Sequence, residues 1–470
     1  TSRRQGKPET RVNCAASLDF QYRSRDNREQ GLPTSQSVDG RTQTPNAWIL
    51  FVSAAMVQIN KERLLERFLR YVAVDTMAVE DTDHYPSSQG QLELGKQVVE
   101  EMKAIGIADA AQDEHGIVMG TVPGSVDGEV PTIAFCAHFD TSPETSGADI
   151  KPQIIRNYAG GDIKLPGDSA KVITLAENPE LNDLHGQTII TTDGTTLLGA
   201  DDKAGLAAIM EAAQCMLEDT DHKHGPVRLL FTCDEEIGRG VDHIDLNNVN
   251  ATACYTLDGG GSDVIDEETF SADLAIVHCR GINIHPSIAK DKMVNAIKIA
   301  GHFLEQLPKD GRSPETTEHR EGFVHPYVID GGVAEVQIKV LLRDFDTPKL
   351  AEHAEFLRGL AKKTMAAFPR SEVEIEIREQ YRNMADGLAK EPRAVDYAVE
   401  AFQRLGRTSR KEIIRGGTDG SRLTELGLPT PNLATGEHNP HSPLEWTCLE
   451  EMAQAAAVTV SIAEVWADKR

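Results

Sequence analysis

The feature that most constrains this chain is a set of apolar runs that end in residues able to bind a metal. The run 132–137 ends at His138-Phe139-Asp140, 227–232 at Asp234-Glu235-Glu236-Ile237-Gly238, and 253–257 at Asp258-Gly259. Gly199-Ala200-Asp201-Asp202-Lys203 opens the helical pattern 204–216, and His441-Ser442-Pro443 follows a run near Asn432. Strands alternating with helices indicate a mainly parallel sheet. In an open α/β sheet the strands hand over to loops at their carboxyl ends, and sites are built there.

Taken singly, each motif has a plain explanation. Asp-Asp-Lys suits a helix N-terminus, where the dipole favours Asp. Asp-Glu-Glu suits a solvated charge run, and a lone His a surface loop. Their coincidence at the ends of apolar runs is what a common site explains. Two His with several carboxylates suit a borderline metal such as zinc, with positions left open for water. The set implies hydrolysis on two metal ions.

The chain has 470 residues, 40% hydrophobic and 26% charged, enough for two domains. A net charge of -26 and a pI near 5.0 argue against nucleic acid and anionic membrane surfaces as partners. Seven cysteines without a C-x-x-C pair, among them Cys136, Cys233 and Cys254 in apolar runs, read as buried free thiols of a reducing, cytoplasmic compartment. The apolar stretch 47–57 falls short of the ~20 residues that span a bilayer. Before it, residues 1–46 carry eight basic and five acidic residues without helical or strand period. Residues 1–55 are therefore expected to be a disordered leader outside the native fold, with Met56 the natural start.

A first helix is expected from Lys61, with Leu64, Leu65, Phe68, Leu69 and Val72 inward and Glu62, Arg63, Glu66, Arg67 and Arg70 outward. A second is expected over 91–105, and the Gly- and Pro-rich stretch 141–198 reads as an elaborated loop region. From Phe270 the pattern changes: strands 270–278, 334–342 and 372–377 with helices 293–304 and 350–365 suggest an inserted α+β layer. The expected organisation is a catalytic domain of 56–269 and 382–470, interrupted by a lid domain of 270–381. His222-Lys223-His224 and Asp266-Glu267-Glu268 are assigned to solvent.

Within the motif set, Asp201 is the central candidate, because one carboxylate can bridge two ions ~3.5–4 Å apart. His138 and Asp258 would complete one ion's ligands, and Glu236 and His441 the other's. Asp140 would orient the His138 imidazole. Glu235, beside Glu236, is placed to accept and deliver a proton.

The motifs His138-Phe139-Asp140-Thr141, Gly199-Ala200-Asp201-Asp202-Lys203-Ala204-Gly205, Asp234-Glu235-Glu236-Ile237-Gly238 and His441-Ser442-Pro443-Leu444-Glu445-Trp446 resemble those of the di-zinc aminopeptidase/carboxypeptidase/aminoacylase superfamily. Thr145-Ser146-Gly147-Ala148-Asp149-Ile150-Lys151-Pro152, Tyr158-Ala159-Gly160-Gly161-Asp162-Ile163, Pro314-Glu315-Thr316-Thr317-Glu318, Arg343-Asp344-Phe345-Asp346 and Arg415-Gly416-Gly417-Thr418-Asp419-Gly420 are similar to its tripeptide-aminopeptidase branch. The resemblance runs from about Met56 to the C-terminus.

It implies an α/β fold, a mixed, mainly parallel sheet flanked by helices, with an inserted α+β lid or dimerisation domain. It also implies two zinc ions per subunit, replaceable by Co²⁺ or Mn²⁺. One would be held by His138, Asp201 and Asp258, the other by Asp201, Glu236 and His441, with a metal-bridging hydroxide as nucleophile. Glu235 would be the general base, Asp140 the orienting carboxylate, and the Asp201–Asp202 peptide cis. His285 would polarise the scissile carbonyl, in a segment with Ser287 where the family has Gly. Asn295 lies on the same layer, and Arg343 or Arg415 would bind the carboxylate of a small peptide substrate. A homodimer through the inserted domain is implied as well. A dipeptidase, carboxypeptidase or N-acyl amino acid deacylase of the same superfamily, or a non-catalytic peptide-binding relative, are the alternatives.

Overall fold

Four parallel strands, Val227–Thr232, Ile133–His138, Ala253–Gly260 and Asn432–His438, lie side by side at the centre of the larger sheet. The computed structural model describes residues 57–80 and 82–469. The expected leader, 1–55, and its proposed start at Met56 fall outside the described residues. Antiparallel strands flank the parallel centre on both sides and complete eleven strands, so the sheet is mixed.

The central runs are apolar throughout because both faces are covered. Ile133, Phe135 and Ala137 point into the main core, under the helices Lys61–Val72, Gln89–Ile105, Ala200–Glu218, Arg393–Arg404 and Leu449–Asp468. Ala134 and Cys136 point the other way, onto Val249 and Leu423. Register makes the site: His138 pairs with Thr232, and Cys136 pairs with Thr256. Asp258, two residues beyond Thr256, therefore comes level with His138, and both open on the carboxyl edge of the sheet.

The helix Lys61–Val72 forms as its period predicts, capped by Asn60, whose side chain accepts the Arg63 N–H. Arg67 differs from expectation. It is buried, not outward, because it lies three residues after Leu64 and shares that face. Its charge is met by Glu211 and Glu101. The two clusters assigned to solvent are also corrected. His222 and His224 are buried, with His222 Nδ1 2.7 Å from Glu464 Oε1 and His224 Nδ1 2.8 Å from the Gly225 carbonyl. Asp266 sits inside a strand, Val264–Thr269, and accepts a hydrogen bond from Asn432. Only its neighbours Glu267 and Glu268 reach cations on the surface, Lys411 and Arg320.

The smaller sheet is antiparallel, in the order Phe323–Gly331, Glu335–Asp344, Ser271–Arg280, Glu372–Tyr381. The helices Ala296–Glu305 and Pro348–Ala367 cover one face of it. The strand Phe323–Gly331 was not anticipated. It carries Pro326, with a bulge between Pro326 and Val328, and lies at the sheet edge, where a missing N–H is tolerated. At the junction of the two sheets Phe270, Phe323 and Phe345 form a small apolar cluster.

Candidate metal centre

His138 closes its strand with a buried side chain, fixed on both ring nitrogens. Nδ1 faces Asp140, 3.1 Å from its carbonyl and 3.4 Å from its carboxylate. Nε2 faces Asp201 Oδ1 at 3.0 Å and Asp258 Oδ1 at 3.7 Å. Asp140 does a second job. Its two carboxylate oxygens accept the Glu235 and Glu236 N–H groups at 3.1 and 3.0 Å, and so hold the turn that follows Asp234. Asp234 itself faces away, toward Ser87 and Gln91.

Asp201 has non-helical dihedrals at the head of Ala200–Glu218, and the Asp201–Asp202 peptide is cis. The two oxygens of Asp201 face different partners: Oδ1 faces His138, and Oδ2 faces His441 Nε2 at 3.3 Å. His441 Nε2 also meets Glu236 Oε2 at 2.8 Å. The five expected ligands thus line one cleft. Donor atoms lie within 4.8 Å of one another in the sets His138–Asp201–Glu236, His138–Asp202–Asp258 and Asp201–Asp258–Glu437, which add Asp202 and Glu437 to the expected residues.

The electrostatics are those of a site short of positive charge. Burial, reinforced by Asp201, pushes the Glu236 carboxyl up to about 8. Burial also lifts Asp258 to about 6. Glu235 is raised well above the carboxylate range by burial, with His138 opposing and Asp258, Asp419 and Glu236 adding to it. Burial resists charging of His441, yet Asp201 and Glu236 hold its imidazole protonated up to about 11. Asp201, though buried, is lowered by His138 and His441. Glu236 Oε1 is buried with no hydrogen-bond partner among the described residues. An orphaned Glu236 oxygen within a set of five His and Asp/Glu donors is what divalent cations fit.

Four further residues shape the site and were not singled out from sequence. Asp202 accepts the His138 and Gly205 N–H groups through separate oxygens. Asp419 is buried, accepts the Thr232 hydroxyl at 2.6 Å, and is lifted to about 7 by burial. Glu437 is buried on the strand beside Asp258. Glu445 accepts four consecutive backbone N–H groups, from Leu198 to Asp201. The last three sit in motifs or strands the sequence exposed, but no spacing rule marks carboxylates whose partners are backbone N–H groups or threonine hydroxyls.

The expected substrate contacts do not join this cluster. His285 lies on an exposed turn of the smaller layer, its Nδ1 2.7 Å from Ser287 Oγ. Asn295 caps Ala296–Glu305, accepting the Ile297 N–H. Arg343 is buried, lies over the Tyr381 ring, and donates from Nη1 to Asp273, Leu342 and Gln380. Arg415 spends Nη1 on the carbonyls of His319 and Glu321 and Nη2 on Thr317.

A mixed α/β sheet with such donors at its carboxyl edge is an arrangement that suits a metal-binding hydrolase. Residues 192–465 match the family described as Peptidase family M20/M25/M40. Over 409 residues, 87% of the chain, it is 44% identical to the full length of a Peptidase T from Bacillus pumilus. It superposes on the crystal structure of aminopeptidase PepT from Bacillus cereus with a TM-score of 0.66 at 27% identity, covering 87% of this chain and 99% of that one. A dinuclear metal binding peptidase from Bacillus subtilis shares the fold, with a TM-score of 0.59 at 16% identity over 87% of this chain and 99% of its own. The chain belongs to peptidase family M20/M25/M40 and is a peptidase.

Proposed function

We propose that this peptidase is a two-zinc tripeptide aminopeptidase that releases the N-terminal residue. The observation that carries the reading is Asp201, whose two oxygens address two separate histidines, one of them shared with a glutamate that keeps an orphaned oxygen. His138, Asp201 and Asp258 would hold one ion, and Asp201, Glu236 and His441 the other, with Co²⁺ or Mn²⁺ as substitutes. Such ions polarise a peptide carbonyl and acidify a water. Glu235 would take a proton from the attacking water and return it to the leaving amine nitrogen. Asp140 keeps Nδ1 of His138 protonated and turned inward, so that Nε2 is the ligand atom. Asp140 also fixes the turn bearing Glu235 and Glu236.

Closure of the inserted layer would bring His285 to the scissile carbonyl and Asn295 to the peptide. Arg343 suits the substrate carboxylate better than Arg415, because both terminal nitrogens of Arg415 already bind the loop 317–321. Identity to relatives named Peptidase T supports the tripeptide class. The buried free cysteines support a cytoplasmic setting, and no helix of the described residues is long and apolar enough to cross a membrane. A homodimer is supported by exposed Ile282, Ile297 and Ile329, grouped on the inserted layer around the turn 331–335, and sedimentation would show it.

Hydrolysis of Ala-Ala-Ala, Ala-Ala and N-acetyl-Ala, each with and without a chelator, tests the activity. Only the tripeptide should release free Ala, and zinc should restore what the chelator removes. Preference for N-acetyl-Ala would make the chain a deacylase, and chelator-insensitive cleavage would remove the metals from the mechanism.

A further inference from the structure

Glu445 is a buried carboxylate whose hydrogen bonds all come from backbone N–H groups among the described residues, with Lys203 near enough to feel its charge. It is 1% exposed, and each of its oxygens accepts two backbone N–H groups. Oε2 takes Leu198 at 2.6 Å and Gly199 at 2.9 Å, while Oε1 takes Ala200 at 2.6 Å and Asp201 at 3.2 Å. Four successive amides can converge on one anion because Gly199 is left-handed, with φ 74°. The chain curls there into a concave anion-binding nest. Asp201 is the last residue of that nest, so its backbone position is set by Glu445.

The other end of Glu445 is tied to the second histidine. Its own N–H donates to the Ser442 carbonyl at 3.0 Å, closing the turn that begins at His441. His441 is held in a left-handed conformation, φ 60°, with its carbonyl accepting the Thr145 hydroxyl at 2.6 Å. The side chain of Glu445 therefore fastens the segment bearing Asp201 to the segment bearing His441, across more than 240 residues of sequence. His138 and Asp258 come from the parallel strands and are fixed by strand pairing and by Asp140 and Asp202.

We propose that Glu445 is a positioning residue that sets the separation between Asp201 and His441, and so governs occupancy of the ion held by Asp201, Glu236 and His441 more than that of its neighbour. The inference rests on the two-metal reading above. A carboxylate that only stabilised the fold would show no such asymmetry.

The test titrates Co²⁺ alone into the metal-free full chain, by calorimetry and visible absorption, for the unsubstituted protein, Glu445→Gln and Glu211→Gln. Gln keeps the shape of Glu445 but turns an NH₂ donor against two backbone donors. Glu211→Gln disturbs a buried carboxylate ten residues along the same helix, far from the ligands, and serves as the control for stability loss. In Glu445→Gln one of the two Co²⁺ affinities should fall by about 10–100-fold, the range typical when groups supporting metal ligands are changed. The other affinity should stay within about threefold, and kcat should fall more than KM. Glu445→Asp should give a smaller loss of the same asymmetric kind, and it carries the test if the Gln variant does not fold. Glu211→Gln should leave both affinities unchanged; unchanged affinities in Glu445→Gln, or two affinities falling together, overturn the role of Glu445. If the unsubstituted chain binds fewer than two Co²⁺ ions or leaves tripeptides intact, it is the functional reading that fails.

Discussion

The two ends of the helix Ala200–Glu218 treat buried negative charge in opposite ways. In its C-terminal half, Glu211 is fully buried and fully paired. One oxygen accepts from Arg63 at 2.8 Å and the Asn60 N–H at 3.3 Å, and the other from Arg63 at 2.9 Å and Arg67 at 2.6 Å. Arg67 in turn spends its remaining nitrogens on Glu101 and Gln214. At the N-terminal end, Asp201, Asp202, Glu235, Glu236, Asp258 and Glu437 gather around two histidines, and Glu236 keeps an oxygen with no partner. The nearby Lys203 donates to the Val74 carbonyl. A fold can bury a carboxylate cheaply only when it supplies the counter-charge. The Glu211 end supplies its own and is a structural tie. The Asp201 end gathers more carboxylates than its two histidines and Lys203 offset, which is the arrangement a divalent cation would complete.

The largest expected effect lies at the active end. Glu235→Ala should lower kcat by about 10²–10⁴-fold, the contribution of a general acid–base group. Zinc content and melting temperature should stay near those of the parent, since Glu235 is read as a proton carrier and not a ligand. Activity assays beside metal analysis check this, and equal loss of zinc and activity would make Glu235 a ligand.

The structural end should respond in the reverse sense. Arg67→Ala leaves Glu211 and Glu101 each short of a buried partner and should cost about 3–5 kcal/mol of stability, seen in urea unfolding. Its Co²⁺ affinities should not change. A coupled loss of metal binding would show that the two ends of the helix are one network, and the contrast between them would fail.

Much of the cluster was legible in the chain: His138, Glu236 and Asp258 follow apolar strand runs, so one rule about strand ends singled them out together, and Asp201 was marked by the helical pattern it opens. What escaped is physically uniform. Arg67 read as surface because its charge outweighed its place on the Leu64 face, and only the distant Glu211 makes burial affordable. Asp266 and His222 read as solvated runs because their partners, Asn432 and Glu464, lie more than 160 residues away. The strand Phe323–Gly331 was hidden by Pro326, tolerated only because the strand is an edge. Glu445 binds nothing but backbone, and backbone conformation is not written in side-chain pattern. Local periodicity is visible in sequence, whereas long-range satisfaction of a polar group becomes visible only once the fold brings the partner.

The smallest expected effect concerns pH, and it separates the two ends by the sign of a slope. In the metal-free protein Glu236 is raised to about 8, by burial first and then by Asp201. His441 is raised to about 11 by Asp201 and Glu236 against the opposing effect of burial. Both folded values lie above those of an unfolded chain, near 4.5 and 6.5. The folded state therefore keeps protons that the unfolded chain has released. The Glu236 contribution is fully present below 4.5 and lost as pH rises toward 8; that of His441 is present below 6.5 and lost toward 11. Between pH 6.5 and 8 the two act in the same direction. Metal-free protein should thus lose stability as pH rises through this window. Zinc replaces the protons, so the loaded protein should lose less, and the gap between loaded and metal-free melting temperatures should widen with pH. The Glu211 end should add no such slope, because Glu101 is lowered, not raised: burial works against it, and Arg67, Tyr71 and Arg70 prevail. Calorimetric melting at several pH values, with and without zinc, measures the gap. A gap that narrows as pH rises would mean that protons are not standing in for metal at the Asp201 end, and that its carboxylates find their counter-charge within the chain after all.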